Sequence, residues 1–92
     1  MGRLGKVFVI GSLTREKDME SIANFSRLLG YDADRVRKQP DKEFKELVRE
    51  CYTKIVDADV IIAVRKENEE LGEGTIYEVE FARAIGKQVF IF

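Results

Sequence analysis

A chain of 92 residues has room for one domain with a modest core. Apolar residues make up 45% and charged residues 36%, with 16 basic against 17 acidic side chains, so no net field favours DNA or RNA as a partner. Histidine is absent and cysteine occurs once, which excludes an imidazole triad, a Cys-His pair, an intrachain disulfide and a metal site built on imidazoles or several thiolates.

Residues 6–10 (KVFVI) form a β-branched and aromatic run that ends at Gly11 and predicts a buried first strand. A helix is expected over about 15–29, with Met19, Ile22, Ala23, Ser26 and Leu29 on one stripe, Phe25 beside it and Gly30 just past its end. Residues 32–37 (DADRVR) read as a short edge strand whose charges discourage unwanted pairing. Pro40 and Asp41 open the next helix, to about Val56, with Phe44, Leu47, Val48, Cys51 and Ile55 on a clean apolar stripe. Residues 60–64 (VIIAV) are apolar throughout, as expected of a strand covered on both faces. A polar, mostly acidic loop over 65–74 leads into a helix over about 76–85, then Gly86 and a last strand over 88–92.

Alternating strands and helices predict an α/β fold, a minimal Rossmann-like (flavodoxin-like) three-layer sandwich over residues 1–92. Its four-stranded parallel sheet has the order 2-1-3-4 and right-handed crossovers. Ligands of such sheets bind beyond the strand C-termini, where the order reverses. That point lies between Gly11–Ser12 and Arg65–Lys66, and the loop over 71–75 opens on the same edge.

The candidate residues cluster there. Thr75-Ile76-Tyr77-Glu78 matches a capping box, which accounts fully for the spacing. At ~100° per residue, however, Glu78 shares a face with Ala82 and Ile85, the face that should meet the sheet, whereas Glu80 and Arg83 point away. A carboxylate on a buried face is costly unless paired or used. In the first helical turn the dipole would favour its ionised form, as a nucleophile requires. Both roles, cap and functional group, fit the sequence. Backbone N–H groups of Gly11, Ser12 and Leu13, with the Ser12 hydroxyl, suit a phosphate or sugar oxygen, as Gly74 and Thr75 do across the edge. Neither a Walker sequence nor a dinucleotide fingerprint is present. Arg65 and Lys66 leave the third strand at the right end to attract an anion. Cys51, on the apolar stripe, reads as a small buried hydrophobe. Asp57 and Asp59 fall at the wrong end of the sheet, and Glu67, Glu69, Glu70 and Glu73 read as solvated acids.

These pieces resemble the nucleoside 2-deoxyribosyltransferase family, which includes the 2′-deoxynucleoside 5′-phosphate N-hydrolases. VFVIGSL is similar to its first strand and glycine-serine turn, IVDADVIIAV to its aspartate-then-strand segment, and GTIYEVEFARAIGK to its Gly-Thr-x-x-Glu helix ending in Gly-Lys. The resemblance implies N-glycosidic cleavage of a deoxynucleoside or its monophosphate. Glu78 would be the nucleophile at C1′, Gly11–Ser12 would bind sugar or phosphate, and Phe8 would line the substrate site in place of the family's first-strand tyrosine, without its hydroxyl. It also puts Cys51 at the family's aspartate, Arg65 and Lys66 at its acidic base contact, and Glu80 at a glycine, and the family's helix beyond the last strand is not in this sequence. The reading is thus a nucleoside or nucleotide N-glycosidase or transferase without cofactor or metal. A non-catalytic nucleotide-binding module and a structural domain with Glu78 as cap are the alternatives.

One thiol suits a reducing cytoplasm, no apolar run approaches the ~20 residues of a membrane span, and the apolar stretch behind the basic start MGRLGK is too short for a leader. A cytoplasmic protein is therefore expected. The apolar last strand (VFIF) would need cover, so a homodimer or larger assembly is expected too.

Overall fold

The computed structural model describes residues 4–92; residues 1–3, the beginning of the basic start, lie outside the described residues. The order of elements is β1 (Lys6–Gly11), a 3-10 turn (Leu13–Arg15), α1 (Glu16–Leu28), β2 (Asp32–Arg35), α2 (Phe44–Asp57), β3 (Val60–Val64), α3 (Glu73–Ala84) and β4 (Gln88–Ile91). All pairings are parallel and the strand order is β2-β1-β3-β4. This is the α/β sandwich expected from the sequence.

The two faces follow from strand alternation. Phe8, Ile10, Ile61 and Ala63 point to one side and pack with Ile55 of α2 and with Val79 and Ala82 of α3. Val7, Val9, Ile62 and Val64 point to the other and pack with Met19 and Ala23 of α1. β3 is apolar at every position because it is covered on both sides. No helix among the described residues is long and apolar enough to cross a membrane.

Among the described residues Arg35 is the one buried cation. From β2 it reaches α1, where its guanidinium bonds Glu20 and Glu16 (3.1 Å) and donates to the Val36 carbonyl (3.1 Å). Every polar contact is met locally, so the edge strand is fastened to α1 without an unpaired charge. Gly30, just past α1, has φ +103°, a conformation that side chains with a Cβ rarely adopt.

Several boundaries differ from the expected ones. α2 begins at Phe44 and not at Pro40, because residues 39–42 close a turn with the Lys42 N–H donating to the Gln39 carbonyl (3.1 Å) and Pro40 in its second position. α3 begins three residues early: Gly72 is its N-cap in an extended conformation, and Ile76 N–H donates to the Gly72 carbonyl (2.9 Å). Thr75 therefore lies inside the helix. The capping box does not form, and no side chain caps α3. On α1, Met19, Ala23 and Ser26 are buried as expected, but Phe25 and Leu29 are exposed. Phe90 of β4, on the side of α1, is also exposed.

Core position and surface position should separate cleanly. Ile61→Ala, at a fully buried site, should cost about 2–5 kcal/mol. Phe25→Ala should stay within about 0.5 kcal/mol. Urea unfolding of both variants measures the contrast.

Candidate functional site

The sheet's crossover direction reverses between β1 and β3: α1 leaves β1 towards one face, and α2 and α3 pack on the other. A cavity of about 540 Å³ opens at the C-terminal edge beside this reversal. Its size is that of a small-molecule site. Phe8, Gly11, Ser12, Leu13, Gly74, Thr75 and Glu78 all line it.

Arg65 does not. Its side chain is exposed, and its backbone N–H is held by the Phe92 carbonyl (2.7 Å) in continuation of the β3–β4 ladder. Lys66, the next residue, lines the cavity instead. Alternation at the strand end decides between the two neighbours. Among the described residues Lys66 has no ion-pair partner for its ammonium.

The β1 wall ends at Gly11, where a Cβ would stand 3.0 Å from the Val64 carbonyl oxygen. Glycine lets the two strand ends close up and brings Ser12 to the cavity. Ser12 then caps the 3-10 turn, its hydroxyl accepting from the Thr14 N–H (3.3 Å).

Across the edge stands the start of α3. Its first N–H groups have no intrahelical acceptor and no side-chain cap, and Gly72, Gly74 and Thr75 face the cavity. Thr75 is 95% buried, since only 5% of its surface is exposed, and its hydroxyl has no protein partner among the described residues. Free N–H groups, a free hydroxyl and the Lys66 ammonium thus converge on one corner, a chemistry suited to an anionic oxygen.

Glu78 is half-buried on the flank of α3 that faces α2. It sits in the second turn, beyond the reach of the helix dipole. The expected dipole-held ionised form is therefore not what the site provides. Burial raises the carboxyl above its ordinary range, and a hydrogen bond from the Cys51 thiol lowers it only in part. Burial and the neighbouring Glu78 charge push the Cys51 thiol up to about 12, so it stays protonated across the neutral range. Tyr52 is raised as well, by burial and then by Glu78.

Some of the lining escaped the sequence reading. Phe44, Leu47 and Val48 belong to the apolar stripe of α2, whose first turns were not read as part of a site. Only the C-terminal half of that stripe packs on the sheet: Ile55 is fully buried, whereas Phe44 is 80% exposed. A crossover helix runs antiparallel to its strands, so its first turns lie at the ligand edge. That rule was the available signal. Val36, Arg37 and Gln39 also line the cavity, from the segment after β2, and Tyr77 does so from α3.

Most of the other charges in the cavity are committed. Glu50 is held down at about 2 by hydrogen bonds from Lys42 and Gln39, which makes it a fixed anion. Lys54 bonds Asp34 (2.9 Å) and pairs with Glu50 (3.5 Å), with its ammonium 5.7 Å from the centre of the Phe8 ring. Arg37 pairs with Asp34 (3.3 Å). Among the described residues no group of three or more acids and cysteines is placed to hold a metal ion.

The fold is that of a 2-desoxiribosyltransferase. The chain superposes on the 2-desoxiribosyltransferase from Leishmania mexicana with a TM-score of 0.70 at 22% identity, covering 95% of this chain and 63% of that one. It also superposes on the Clostridium botulinum CMP N-glycosidase, BcmB, with a TM-score of 0.67 at 24% identity, covering 94% of this chain and 69% of that one. This chain therefore spans less than two thirds of the length of the transferase. No family model and no curated protein matches the sequence.

Because burial raises Glu78, its folded form binds a proton more tightly than its unfolded form. Ionisation then costs stability as pH rises from the ordinary glutamate range through the folded midpoint. Glu78→Gln should be more stable than wild type at pH 7, and the advantage should vanish at pH 4. Thermal melts at the two pH values measure it.

Proposed function

We propose that the chain binds a nucleoside or nucleoside 5′-monophosphate in this cavity and cleaves its N-glycosidic bond, with Glu78 as the nucleophile. The observation that carries the reading is a half-buried carboxylate facing a small-molecule cavity beside a converging set of oxygen-binding groups. The activities named for the two structural neighbours, 2-desoxiribosyl transfer and CMP N-glycosidic cleavage, support it.

The chemistry balances with one protein nucleophile. A Glu78 oxygen forms a bond to C1′ as the C1′–N bond breaks, and the electron pair leaves with the base, which takes a proton from water. The bond passes through an oxocarbenium-like state that the carboxylate stabilises. Water or a second base then attacks C1′ and frees Glu78, giving hydrolysis or transfer. Phe44, Leu47, Val48, Tyr52 and Tyr77 offer an apolar and aromatic wall for the base. Lys66, Ser12 and the start of α3 suit the phosphate or the sugar hydroxyls. Raised above its ordinary range, Glu78 gives a rate that climbs with pH as it ionises.

A second reading, a nucleotide-binding module without catalysis, is favoured by one observation. The thiol beside Glu78 is pushed up to about 12 and does not serve as the acid that a departing base uses.

Incubation with a panel of deoxynucleosides, ribonucleosides and their 5′-monophosphates, read as free base, tests the proposal. Wild type should release base, and Glu78→Gln should lose at least about 10³-fold. Binding without release supports the module, and neither binding nor release removes both readings. Lys66→Ala should weaken monophosphate binding by about tenfold or more while sparing the nucleoside. Arg65→Ala, outside the cavity, should change neither.

A further inference from the structure

The two faces of the sheet are covered unequally. α2 and α3 share one face, whereas α1 is the one α-helix among the described residues on the other. α1 packs over β1 and β2. Its Glu16 and Glu20 bond Arg35 of β2, and Arg27 donates to the Ala33 carbonyl (3.1 Å), so these residues mark the flank of α1 that leans towards the β2 edge. At ~100° per residue, Ile22, Phe25 and Leu29 form the opposite flank, which overlooks β3 and β4. Strand alternation turns Val60, Ile62 and Phe90 to that same side, and the ladder continues to Phe92, which follows the alternation. The outcome is an apolar ledge two strands wide beside an apolar helix flank. Phe25, Phe90 and Phe92 are 62%, 46% and 60% exposed, which at ~200 Å² for a whole phenylalanine leaves roughly 300 Å² of aromatic surface in water. Leu28 and Leu29, also exposed, extend it at the end of α1. A patch of this order on a small protein is characteristic of a contact surface.

We infer that this face docks a second copy of the chain. The ledge of β3 and β4 is about 10 Å across, the width of one helix. A two-fold axis running along the strands, level with α1, sets each α1 over the other copy's ledge. The two helices then lie parallel and side by side, about 10 Å apart, as packed helices do. Their Ile22, Phe25 and Leu29 flanks meet at the axis. Ser21, Leu28 and the stem of Lys17 turn outward, onto the other copy's strands. The contact is isologous, since each copy gives a helix and receives one. Counted on both copies, the phenylalanines and the two leucines bury about the 1,000 Å² that a specific interface requires. A net charge of −1 per chain raises no long-range repulsion between copies. What favours a second copy over another protein is this self-complementarity: the gap and the helix that fills it share one width and belong to one chain. The cavity, on the α2–α3 side, stays open in such a dimer, so the inference does not rest on the proposed function.

Sedimentation equilibrium of the whole chain, from micromolar to submillimolar concentration, tests it. Wild type should sediment at twice the chain mass. Phe25→Glu and Phe90→Glu should each weaken association at least about 30-fold, the effect of losing a central anchor. Phe44→Glu, an exposed aromatic at the cavity mouth, should leave it unchanged. Phe25 is exposed in the single chain, so below the association range its substitution leaves folding alone, which circular dichroism checks. Should Phe90→Glu fail to fold, Phe25→Glu decides alone. In a Cys51→Ala background, Leu29→Cys should cross-link two copies on oxidation, because the axis sets residue 29 against itself, whereas Asn24→Cys on the far flank should not. A monomeric wild type overturns the inference, even one that retains some other protein. So does a dimer indifferent to Phe25→Glu, a dimer dissociated by Phe44→Glu, or a cross-link through Asn24→Cys and not Leu29→Cys.

Discussion

A carboxylate that leaves bulk water must be compensated by its surroundings or stay protonated, and the site is organised around that constraint at Glu78. The residue lies on the flank of α3 that packs towards α2, so burial raises it, and the Cys51 thiol offsets that rise only in part. Among the described residues no lysine or arginine pairs with it: of the cations lining the cavity, Arg37 and Lys54 are tied to Asp34 and Lys66 stands apart. A group kept this way is costly to the folded state. Replacing it with leucine would suit the α2–α3 contact better, so its presence asks for a reason beyond packing.

The fold supplies the rest of the geometry. β3 is covered on both faces and forms the spine, and the reversal of crossover direction beside it leaves a gap at the C-terminal edge that no helix fills. Into that gap come the end of β1, where Gly11 lets Ser12 approach, the uncapped start of α3, and the first turns of α2. Oxygen-binding groups collect at one corner and apolar side chains at the other. Such an arrangement matches a ligand with a polar sugar or phosphate end and a flat apolar end.

Much of this was legible in the sequence, and the failures are instructive. Strand order followed from the alternation of elements and from the two-sided apolar run of 60–64. The inward aim of Glu78 followed from its angular distance to Ala82. Its partner set did not follow, because a capping box is a side-chain signature, whereas the true N-cap, Gly72, acts through backbone conformation alone. Three residues of error moved Glu78 out of the first turn and changed the sign of its expected shift. Of the two cations expected at the site only Lys66 reaches the cavity, because strand alternation at the last residue is not fixed by composition. The place of Phe44 and Val48 in the cavity was not legible because periodicity reports which face of a helix is apolar and not how far the sheet extends beneath it. Arg35 was missed for a similar reason: a buried cation is recognisable only when its two glutamates on α1 are seen to reach it.

The central claim is that Glu78 meets the sugar. Rapid acid quenching of the wild-type protein during turnover, followed by intact-mass and peptide mass spectrometry, tests it most directly. The account predicts a transient increase equal to one glycosyl unit, localised to Glu78. Base release accompanied by a glycosyl adduct on another residue, or by none at any quench time, would contradict it.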